Sequence, residues 1–385
     1  LFFRPIIANK QLNLITFVQM NSQKAKQNQI EIAVIGCGIA GITTAYVLRK
    51  KGYKVSLLDP KVNSEISNSN PSNGSQAALG VLMGNINKKT KGRAFFQRKQ
   101  SKKLWEKWLI EINKSDSKIK IEKPLIKLAS SEKEYQSMID ISINKNEKKI
   151  ELLSKESIDL WSSIMEHKLI GGLISYEDGR LNPIKLLKSF MKILNKMKVN
   201  MVQENVIRIE KNINLMNKRW KIYFESDQYI YQDYIIICSA LNTQKLLTPL
   251  GHTICLEPVL GQVIELELEN PTSDWNTWPA ILNYQNINII HQKNNQILIG
   301  ATLEKNTKPS FLCKQEMLDM NNSAPSWIRN AKVINEWSGV RARPLDEPAP
   351  LLKVLEPGLL INTGHYRNGI LLAPYCAEWI GLKID

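Results

Sequence analysis

The sequence has few of the residues that build disulfide frameworks and metal sites. Its five cysteines are widely scattered and odd in number, and none of its four histidines has the spacing of a metal-binding pair. This usage argues against a disulfide framework or a zinc ribbon. It predicts a protein of a reducing compartment, the cytoplasm, with no bound metal.

Long apolar runs are also missing. No stretch approaches the ~18 consecutive apolar residues that a membrane-spanning helix needs, so the sequence predicts no membrane partner. The first residues are mildly apolar but are interrupted by polar positions such as Arg4 and Lys10, and they lack the cleavage site of a secretory signal. We expect residues 1–28 to be a disordered or non-native extension outside the fold.

Acidic residues are too few to balance the basic ones, which leaves a net charge of +16. A basic chain can bind nucleic-acid phosphates. The lysines, however, are spread over surface-like helices beside many asparagines and isoleucines, and this favours a solvated basic surface over a nucleic-acid site. With 43% hydrophobic and 23% charged residues in 385, the composition is that of one large globular domain or two interleaved ones.

A strand, a turn, a helix and a second strand are predicted over residues 31–59. Residues 32–35 form a short apolar run typical of a buried parallel strand. Apolar positions then follow helical spacing over 39–51, and residues 55–58 form the second strand.

Three glycines in the predicted turn, Gly36, Gly38 and Gly41, have the spacing of a dinucleotide-binding loop. The first permits the tight turn, the second lets the backbone approach a pyrophosphate, and the third lets helix and strand pack closely. The first helical residues, Ile39 and Ala40, would offer free N–H groups to the phosphates. A glycine turn in a non-binding α/β protein is the alternative.

Asp59 strengthens the nucleotide interpretation, because an acid at the end of the second strand hydrogen-bonds ribose hydroxyls. A second dinucleotide turn is missing from the sequence: Gly171, Gly172 and Gly251 lack the spacing and the context. A single cofactor must then meet the substrate directly, which favours an oxidase or dehydrogenase over a nicotinamide-dependent reductase.

The rest of the chain alternates helix and strand signals. Residues 94–112 look helical, hairpin-like stretches cover 200–238 and 258–302, and the end from 359 reads as strand, turn and helix.

Five later segments resemble the FAD-dependent D-amino-acid oxidase family, and glycine oxidases in particular. They are GHYRNGILLAP at 364–374, WSGVR at 337–341, the sheet strands around 258–262 and 300–302, and the small-residue run at 75–82. The resemblance covers roughly the whole chain after residue 30. It implies an α/β fold in which a Rossmann-like FAD-binding domain of discontinuous segments carries an inserted antiparallel-sheet substrate domain.

That resemblance also predicts domain boundaries. The FAD-binding domain would comprise 29–93, 151–242 and 336–385, and the substrate domain 94–150 and 243–335.

The resemblance further implies where FAD is held. Ala77, Ala78, Gly80 and Val81 would form the turn under the isoalloxazine ring, and the backbone of Val206 would lie beside the adenine. Gly339 and the segment Asn368, Gly369, Ile370 and Leu371 would contact the flavin. Negative charge develops at the pyrimidine edge on reduction, and N–H donors there would stabilise it.

Two arginines carry the predicted substrate chemistry. By resemblance, Arg341 holds the substrate carboxylate in a two-pronged pair that lysine cannot reproduce, and Arg367 adds a second positive contact. The alternatives are a surface pair of Arg341 with Asp346 or Glu347, and a helix cap or a pair with Glu378 for Arg367.

Two positions depart from the family pattern. Asn288 falls where these oxidases commonly carry a carboxylate-binding tyrosine, so we expect an altered substrate contact there. Residues 238–241, CSAL, replace a more glycine-rich strand end. His365 and Tyr366 are interpreted as a turn residue and a packing residue.

The function implied is FAD-dependent oxidative deamination of glycine or a similar small amino acid. Hydride passes to the flavin, oxygen reoxidises it to give hydrogen peroxide, and the imine feeds thiamine thiazole synthesis. One alternative is an oxidase or dehydrogenase of a secondary or D-amine, including one attached to tRNA; another is a non-catalytic flavin-binding protein. The expected partner is a small amine or amino acid, and the sequence allows a homo-oligomer.

Overall fold

A computed structural model describes residues 29–86, 91–114, 118–144, 149–213, 218–269, 278–293 and 295–384. The predicted extension over 1–28 lies outside the described residues.

The strands are β1 (Glu31–Ile35), β2 (Lys54–Leu58), β3 (Val81–Leu82), β4 (Leu125–Ala129), β5 (Ile150–Leu152), β6 (Gly171–Ser175), β7 (Gly179–Arg180), β8 (Asn200–Val202), β9 (Val206–Lys211), β10 (Trp220–Phe224), β11 (Tyr229–Gln232), β12 (Tyr234–Ile237), β13 (Leu256–Glu267), β14 (Ile281–Tyr284), β15 (Ile287–His291), β16 (Gln296–Gly300), β17 (Lys332–Pro344), β18 (Leu351–Glu356) and β19 (Leu359–Thr363). The α-helices are α1 (Ile39–Lys50), α2 (Arg93–Asn113), α3 (Glu132–Asn144), α4 (Lys155–Ile164), α5 (Pro183–Lys196), α6 (Thr243–Leu247), α7 (Phe311–Asp319), α8 (Ser326–Arg329) and α9 (Gly369–Gly381).

The first sheet has six strands in the order β18-β19-β12-β1-β2-β8. All of its pairings are parallel except the edge pair β18–β19. Its inner strands β19, β12 and β1 are buried on both faces, as expected of a parallel sheet covered on both sides, whereas the edge strands β8 and β18 are partly exposed. Ile32 and Val34 of β1 pack with α1, α2, α5 and α9, while Ala33 and Ile35 face the three-stranded sheet β11-β10-β9.

The second large sheet has eight strands in the order β17-β13-β16-β15-β14-β4-β6-β5. It is antiparallel except where β14 pairs with β4. One face packs against α4, α7 and α8. The other face packs against α3 and the segment 77–86, which comes after β2 in the chain.

The α/β fold predicted from the sequence is confirmed by this arrangement. The hairpin-like stretch at 200–238 contains the three-stranded antiparallel sheet, and that at 258–302 contains strands β13 to β16.

Strand pairing differs from the predicted domain boundaries in two places. Strand β6 falls in the segment 151–242 assigned to FAD binding, yet it pairs with β4 of the eight-stranded sheet. Strand β17, most of which falls in the last FAD-binding segment, pairs with β13. A strand's own residues do not reveal its partner, so the boundaries stay a prediction.

Within the described part of the chain, no helix is both long and apolar enough to cross a membrane. No group of three or more metal-ligating side chains comes together there either.

Candidate functional site

A cavity of about 800 Å³ lies between the six-stranded and eight-stranded sheets. Asp59 and Val206 line it beside the six-stranded sheet, and Asn288 and Arg341 line it beside the eight-stranded sheet. The cavity therefore joins the predicted nucleotide residues to the predicted substrate residues.

The turn between β1 and α1 is built from close backbone contacts. Gly36 has a φ of +109°, and a Cβ atom there would lie 2.7 Å from the carbonyl oxygen of Cys238. A Cβ on Gly41 would lie 1.8 Å from the carbonyl oxygen of Gly36. Gly36, Gly38, Ile39 and Ala40 line the cavity. Gly41 is not among the lining residues, so its role is the packing of helix against strand.

Hydrogen bonds fix this turn from two sides. The backbone N–H of Cys37 donates to Asp59 Oδ2 at 2.8 Å, and that of Lys61 donates to Asp59 Oδ1 at 2.8 Å. The N–H of Ile39, at the start of α1, donates to Ser75 Oγ at 2.9 Å. Asp59 thus holds the turn in place at the cavity wall, and its contact with a ribose stays a prediction.

The turn predicted to lie under the flavin ring is anchored through its carbonyl groups. Trp337 Nε1 donates to the carbonyl oxygen of Ala77 at 3.1 Å, and Arg180 Nε donates to that of Leu79 at 2.9 Å. Gly80 has a φ of +79°, and a Cβ there would lie 1.8 Å from the carbonyl oxygen of Leu181. Ala77, Ala78, Gly80 and Val81 all line the cavity.

Strand β17 supports the same turn through Gly339, another lining residue. A Cβ on Gly339 would lie 2.4 Å from Ala77 Cβ. The missing side chain is what allows the turn to pack directly on the strand.

The segment after β19 brings the start of α9 to the cavity. Asn368, Gly369 and Ile370 line it. Leu371 does not: it is buried in the core, and its carbonyl oxygen accepts from Ser101 Oγ at 2.6 Å. Position 371 therefore contributes packing, and positions 368–370 contribute the backbone that faces the cavity.

His365 also lines the cavity, although the sequence suggested only a turn residue. Its Nε2 atom is buried and has no hydrogen-bond partner among the described residues. Burial lowers the pKa of its imidazole to about 4, so the ring is neutral near pH 7. A buried ring nitrogen without a protein partner fits a wall that receives a polar ligand.

Arg341 lies on β17 opposite Val259 of β13. Its guanidinium occupies the space above Gly261, where a Cβ atom would lie 2.3 Å from Nη2. Nη1 donates to the carbonyl oxygens of Leu260 at 3.2 Å and Thr302 at 3.3 Å. These bonds leave further N–H groups of the fork for a ligand.

The charge of Arg341 is not balanced by an ion pair within the described ranges. Burial lowers its pKa and the nearby positive charge of Arg367 lowers it further, while the weaker influence of Tyr366 and Glu304, neither of which forms an ion pair with it, acts in the opposite direction. Neither alternative surface partner is used: Glu347 pairs with Lys353, and Asp346 interacts with the thiol of Cys255. Two cations and no paired carboxylate make this part of the cavity suited to an anion.

The other two arginines differ in exposure and partners. Arg343 Nη1 pairs with Glu257 Oε1 at 2.8 Å, so its charge is balanced. Arg367 is exposed, lines the cavity, and forms no ion pair with Glu378 in the structure described.

Asn288 lines the cavity on β15. Its Nδ2 atom donates to the carbonyl oxygen of Gly300 at 3.3 Å, and its Oδ1 atom accepts from Asn283 Nδ2 at 3.0 Å. The side chain is therefore held in place by its neighbours on both sides, with Asn283 and Lys127 next to it on the cavity wall.

Sequence reasoning did not single out Ser75, Lys127 or Asn283 as site residues. Ser75 lay in a segment that resembles the family and was identifiable by position. Lys127 and Asn283 carry no local signal, because only the strand register brings them to the cavity.

The described residues fit a dinucleotide cofactor with a substrate beside it. One end offers a glycine turn and a helix start, the middle offers backbone groups of the 77–81 and 368–370 segments, and the other end offers cationic side chains.

Comparison with protein families gives a match over residues 31–381 to the family described as DAO, FAD dependent oxidoreductase. A glycine oxidase of Bacillus licheniformis is 22% identical over 91% of this chain and 92% of that protein. D-amino acid dehydrogenase 3 of Mesorhizobium japonicum is 23% identical over 89% of this chain and 94% of that protein. The crystal structure of glycine oxidase from Bacillus cereus superposes with a TM-score of 0.75 at 21% identity, covering 92% of this chain and 96% of that one.

Proposed function

The chain belongs to the DAO family of FAD-dependent oxidoreductases, and from this premise we propose that it oxidises the CH–NH2 or CH–NH group of a small amino acid, glycine or one like it. The observation that carries the proposal is the partly buried Arg341, whose charge meets no paired carboxylate on the cavity wall. A buried charge is costly unless it is paired, and a substrate carboxylate supplies the pair.

FAD, when bound, supplies a two-electron acceptor for the hydride that leaves the substrate carbon. The residues that would hold it are the β1–α1 turn with Asp59, the 77–81 turn, Val206, Gly339 and the start of α9. The backbone N–H groups at the start of α9, together with the positive end of the helix dipole, would stabilise the negative charge that develops at the pyrimidine edge of the flavin on reduction.

Arg341 positions the substrate. Its planar fork holds a carboxylate in one orientation, and Arg367 adds a second positive charge on the same side. Fixing the carboxylate fixes the direction of the Cα–H bond, so the main demand on the protein is orientation rather than a strong base. The imine product hydrolyses in water to a carbonyl acid and ammonia. With oxygen as the electron acceptor, peroxide is released, and with glycine as the substrate the imine fits the thiamine thiazole role that the family resemblance suggests.

The similarity to a D-amino acid dehydrogenase supports a second candidate, oxidation of a D-amine or secondary amine with an acceptor other than oxygen. The same arginines would serve both, and peroxide release separates the two.

Anaerobic mixing of the purified flavoprotein with a panel of small amino acids tests the proposal. Glycine, its N-alkyl derivatives or D-amino acids should bleach the flavin absorbance within seconds to minutes, and air should then restore it with one peroxide per turnover. Bleaching without peroxide release would favour the dehydrogenase. If no amine reduces the flavin, the proposal is wrong.

Arg341→Leu provides the residue-level test. Loss of a two-pronged, charge-assisted contact costs roughly 2–5 kcal/mol, so kcat/KM should fall by about two to three orders of magnitude. Flavin content should stay near normal, because this contact is to substrate. Arg341→Lys should recover only part of the loss.

Arg343→Leu is the matched control, since Arg343 lies two residues away on β17 and already pairs with Glu257. It should change kcat/KM little. Equal losses at both positions would indicate a general electrostatic effect, and an unaffected Arg341→Leu enzyme would remove carboxylate recognition from Arg341.

A further inference from the structure

A buried carboxylate, Glu304, lies four residues beyond the end of β16. The residue is only 3% exposed. Thr302 Oγ1 and Gln262 Nε2 donate to its Oε1 atom, the latter at 2.9 Å, and the backbone N–H of Ser310 donates to its Oε2 atom at 2.7 Å. An ionised carboxylate only accepts hydrogen bonds, so three donors suit it. The acid is therefore held by the protein through both of its oxygens.

The segment 302–304 has an inverted pattern of polarity. Thr302 and Glu304 are buried, whereas Leu303 between them is 50% exposed and lines the cavity. A segment that served only packing would bury the leucine and expose the acid, because burying a charge is costly. The inward direction of the two polar side chains therefore needs a reason beyond the stability of the segment.

Hydrogen bonds tie this segment to β13, on the edge opposite to β17. The N–H of Leu260 donates to the carbonyl oxygen of Glu304 at 2.8 Å, and the N–H of Glu304 donates to that of Leu260 at 3.0 Å. Gln262 adds two further bonds. Its backbone N–H donates to Thr302 Oγ1 at 2.8 Å, and its Nε2 atom donates to the carbonyl oxygen of Ser310 at 2.8 Å. The acid and the amide together hold the segment and the start of α7 against β13.

Arg341 reaches the same segment from the other edge of β13. Its side chain starts on β17, and its guanidinium lies above Gly261, where a Cβ atom would lie 2.3 Å from Nη2. Its Nη1 atom donates to the carbonyl oxygens of Leu260 and Thr302, at 3.2 and 3.3 Å. Glu304 holds both acceptors, because its N–H donates to the first carbonyl and its carboxylate accepts from the hydroxyl of the second residue. The direction of the guanidinium fork therefore depends on this acid.

Glu304 also acts on Arg341 through its charge. It forms no ion pair with the guanidinium in the structure described, but its negative charge raises the pKa of Arg341 against the opposite effects of burial and Arg367. A carboxylate that three donors hold in place favours the nearby cation without occupying it. The fork stays available for a substrate.

We propose that Glu304 is a positioning residue for substrate recognition, which fixes the segment 302–304 and thereby the direction of the Arg341 fork. This inference rests on the proposed function, because the fork must hold a substrate carboxylate. A fork that points in the wrong direction misdirects the Cα–H bond, and catalysis by orientation is sensitive to such an error. Glu304 does not touch the substrate and is not a catalytic residue.

Acetate binding to the flavin-loaded protein, read from the flavin absorption spectrum, tests the inference. Glu304→Gln keeps the shape of the side chain and replaces one acceptor oxygen with a donor, so one of the three donors loses its acceptor. The affinity for acetate should fall about 10-fold, as expected for the loss of one hydrogen bond. Thr302→Val removes only the hydroxyl group and should cause a smaller loss, about 3-fold.

The same substitution in an Arg341→Lys background separates a positioning role from a purely structural one. Lysine retains the positive charge but has no planar fork to direct. Glu304→Gln should lower Tm in both backgrounds, because a buried donor is left without an acceptor. It should weaken acetate binding by less than about twofold in the lysine background, since a double-mutant cycle isolates the interaction between residues of one network.

Glu257→Gln is the matched control. It removes a carboxylate from β13 that pairs with Arg343 and takes no part in this network. Acetate binding should be unchanged. A loss equal to that of Glu304→Gln would indicate a general effect of negative charge on the sheet and would count against the inference.

The inference is overturned if Glu304→Gln binds acetate as the wild type does, or if the loss is equal in the arginine and lysine backgrounds. If Glu304→Gln fails to retain FAD, Thr302→Val decides in its place, and unchanged acetate binding in that variant overturns the inference. If acetate perturbs the wild-type flavin and Arg341→Leu abolishes that effect, the proposed function survives either result. If no acid perturbs the flavin and no amine bleaches it, the inference and the proposed function both fail.

Discussion

His365 has a buried ring nitrogen on the wall of the cavity, and its burial couples folding to pH. Its pKa lies at about 4 in the folded chain, against 6.5 for an ordinary histidine. Between these values the unfolded chain binds the proton and the folded chain does not. The free energy of unfolding therefore falls as the pH falls from 6.5 to 4, and this histidine has no effect above that window.

His365→Gln should remove that part of the pH dependence. A difference of ~2.5 pKa units corresponds to a loss on the order of 3 kcal/mol across the window. Thermal melting of both proteins from pH 7.5 to pH 4 measures it. The two proteins share all their other titrating groups, so the gap between their Tm values should shrink or reverse toward acid pH. Parallel curves would show that His365 is not buried in its neutral form.

Ala240 adopts a φ of +51°, a left-handed conformation, just after β12 where the strand reaches the cavity. An alanine in this conformation costs roughly 1 kcal/mol more than a glycine. The family's glycine-rich strand end, which residues 238–241 replace, would avoid this cost.

Ala240→Gly should therefore stabilise the protein by up to about 1 kcal/mol and raise Tm by a few degrees. Urea unfolding of the flavin-loaded protein provides the measurement. Ala342→Gly, a change in the extended strand β17, is the control and should destabilise instead. A lower midpoint for Ala240→Gly would mean that its methyl group makes packing contacts worth more than the strain.

At the scale of elements, the contact of the 77–81 turn with β17 decides the shape of the cavity. Gly339→Ala would place a Cβ atom 2.4 Å from Ala77 Cβ and push the turn away from the strand. We expect a clear drop in FAD content, by tenfold or more in affinity, with near-normal secondary structure, because overpacking of this kind costs roughly 1–3 kcal/mol. Flavin absorbance and circular dichroism report the two quantities.

The double variant Ala77→Gly/Gly339→Ala is the sharper experiment, because it removes the atom with which the new Cβ collides. It should recover much of the lost FAD affinity. Failure of the double variant to recover would show that the defect arises on strand β17 itself.

The elements that the sequence predicts well are those whose signals are local. The β1–α1 unit is one of them, because strand, glycine turn, helix and Asp59 follow one another within thirty residues. Lys127 and Asn283 are the opposite case: they meet at the cavity wall only because β4 and β14 pair, and nothing in either strand specifies that partner. For the same reason, the sequence does not show that β6, which lies in the segment 151–242 assigned to FAD binding, pairs with β4 of the eight-stranded sheet. Gly41 and Leu371 were assigned to the cofactor from their segments. Neither lines the cavity, because Gly41 packs against the backbone of Gly36 and the Leu371 side chain is buried in the core, so their contact with the cofactor stays a prediction.

At the scale of the whole molecule, the cofactor cavity lies between two sheets drawn from distant segments of the chain. The β1–α1 turn and the start of α9 approach it from the six-stranded sheet, and β17 approaches it from the eight-stranded sheet. A ligand that contacts both sheets stabilises the packing of one sheet against the other as well as each sheet itself. Folding and FAD binding are therefore thermodynamically linked.

This linkage leads to a prediction for the protein as a unit. FAD should raise Tm progressively with its free concentration, and the added stability should reach about 2.7 kcal/mol at one hundred times Kd. NAD should stabilise the protein much less, because it lacks the isoalloxazine ring that the 77–81 turn and the start of α9 would contact. Asp59→Ala should weaken the FAD effect by roughly 1–3 kcal/mol, since the Cys37 and Lys61 N–H groups lose their acceptor and any ribose contact is lost. Melting curves of flavin-free protein titrated with each nucleotide provide the test. Stabilisation by NAD equal to that by FAD would contradict the assignment of the cavity, and an unchanged FAD response in Asp59→Ala would show that this carboxylate serves neither the turn nor the cofactor.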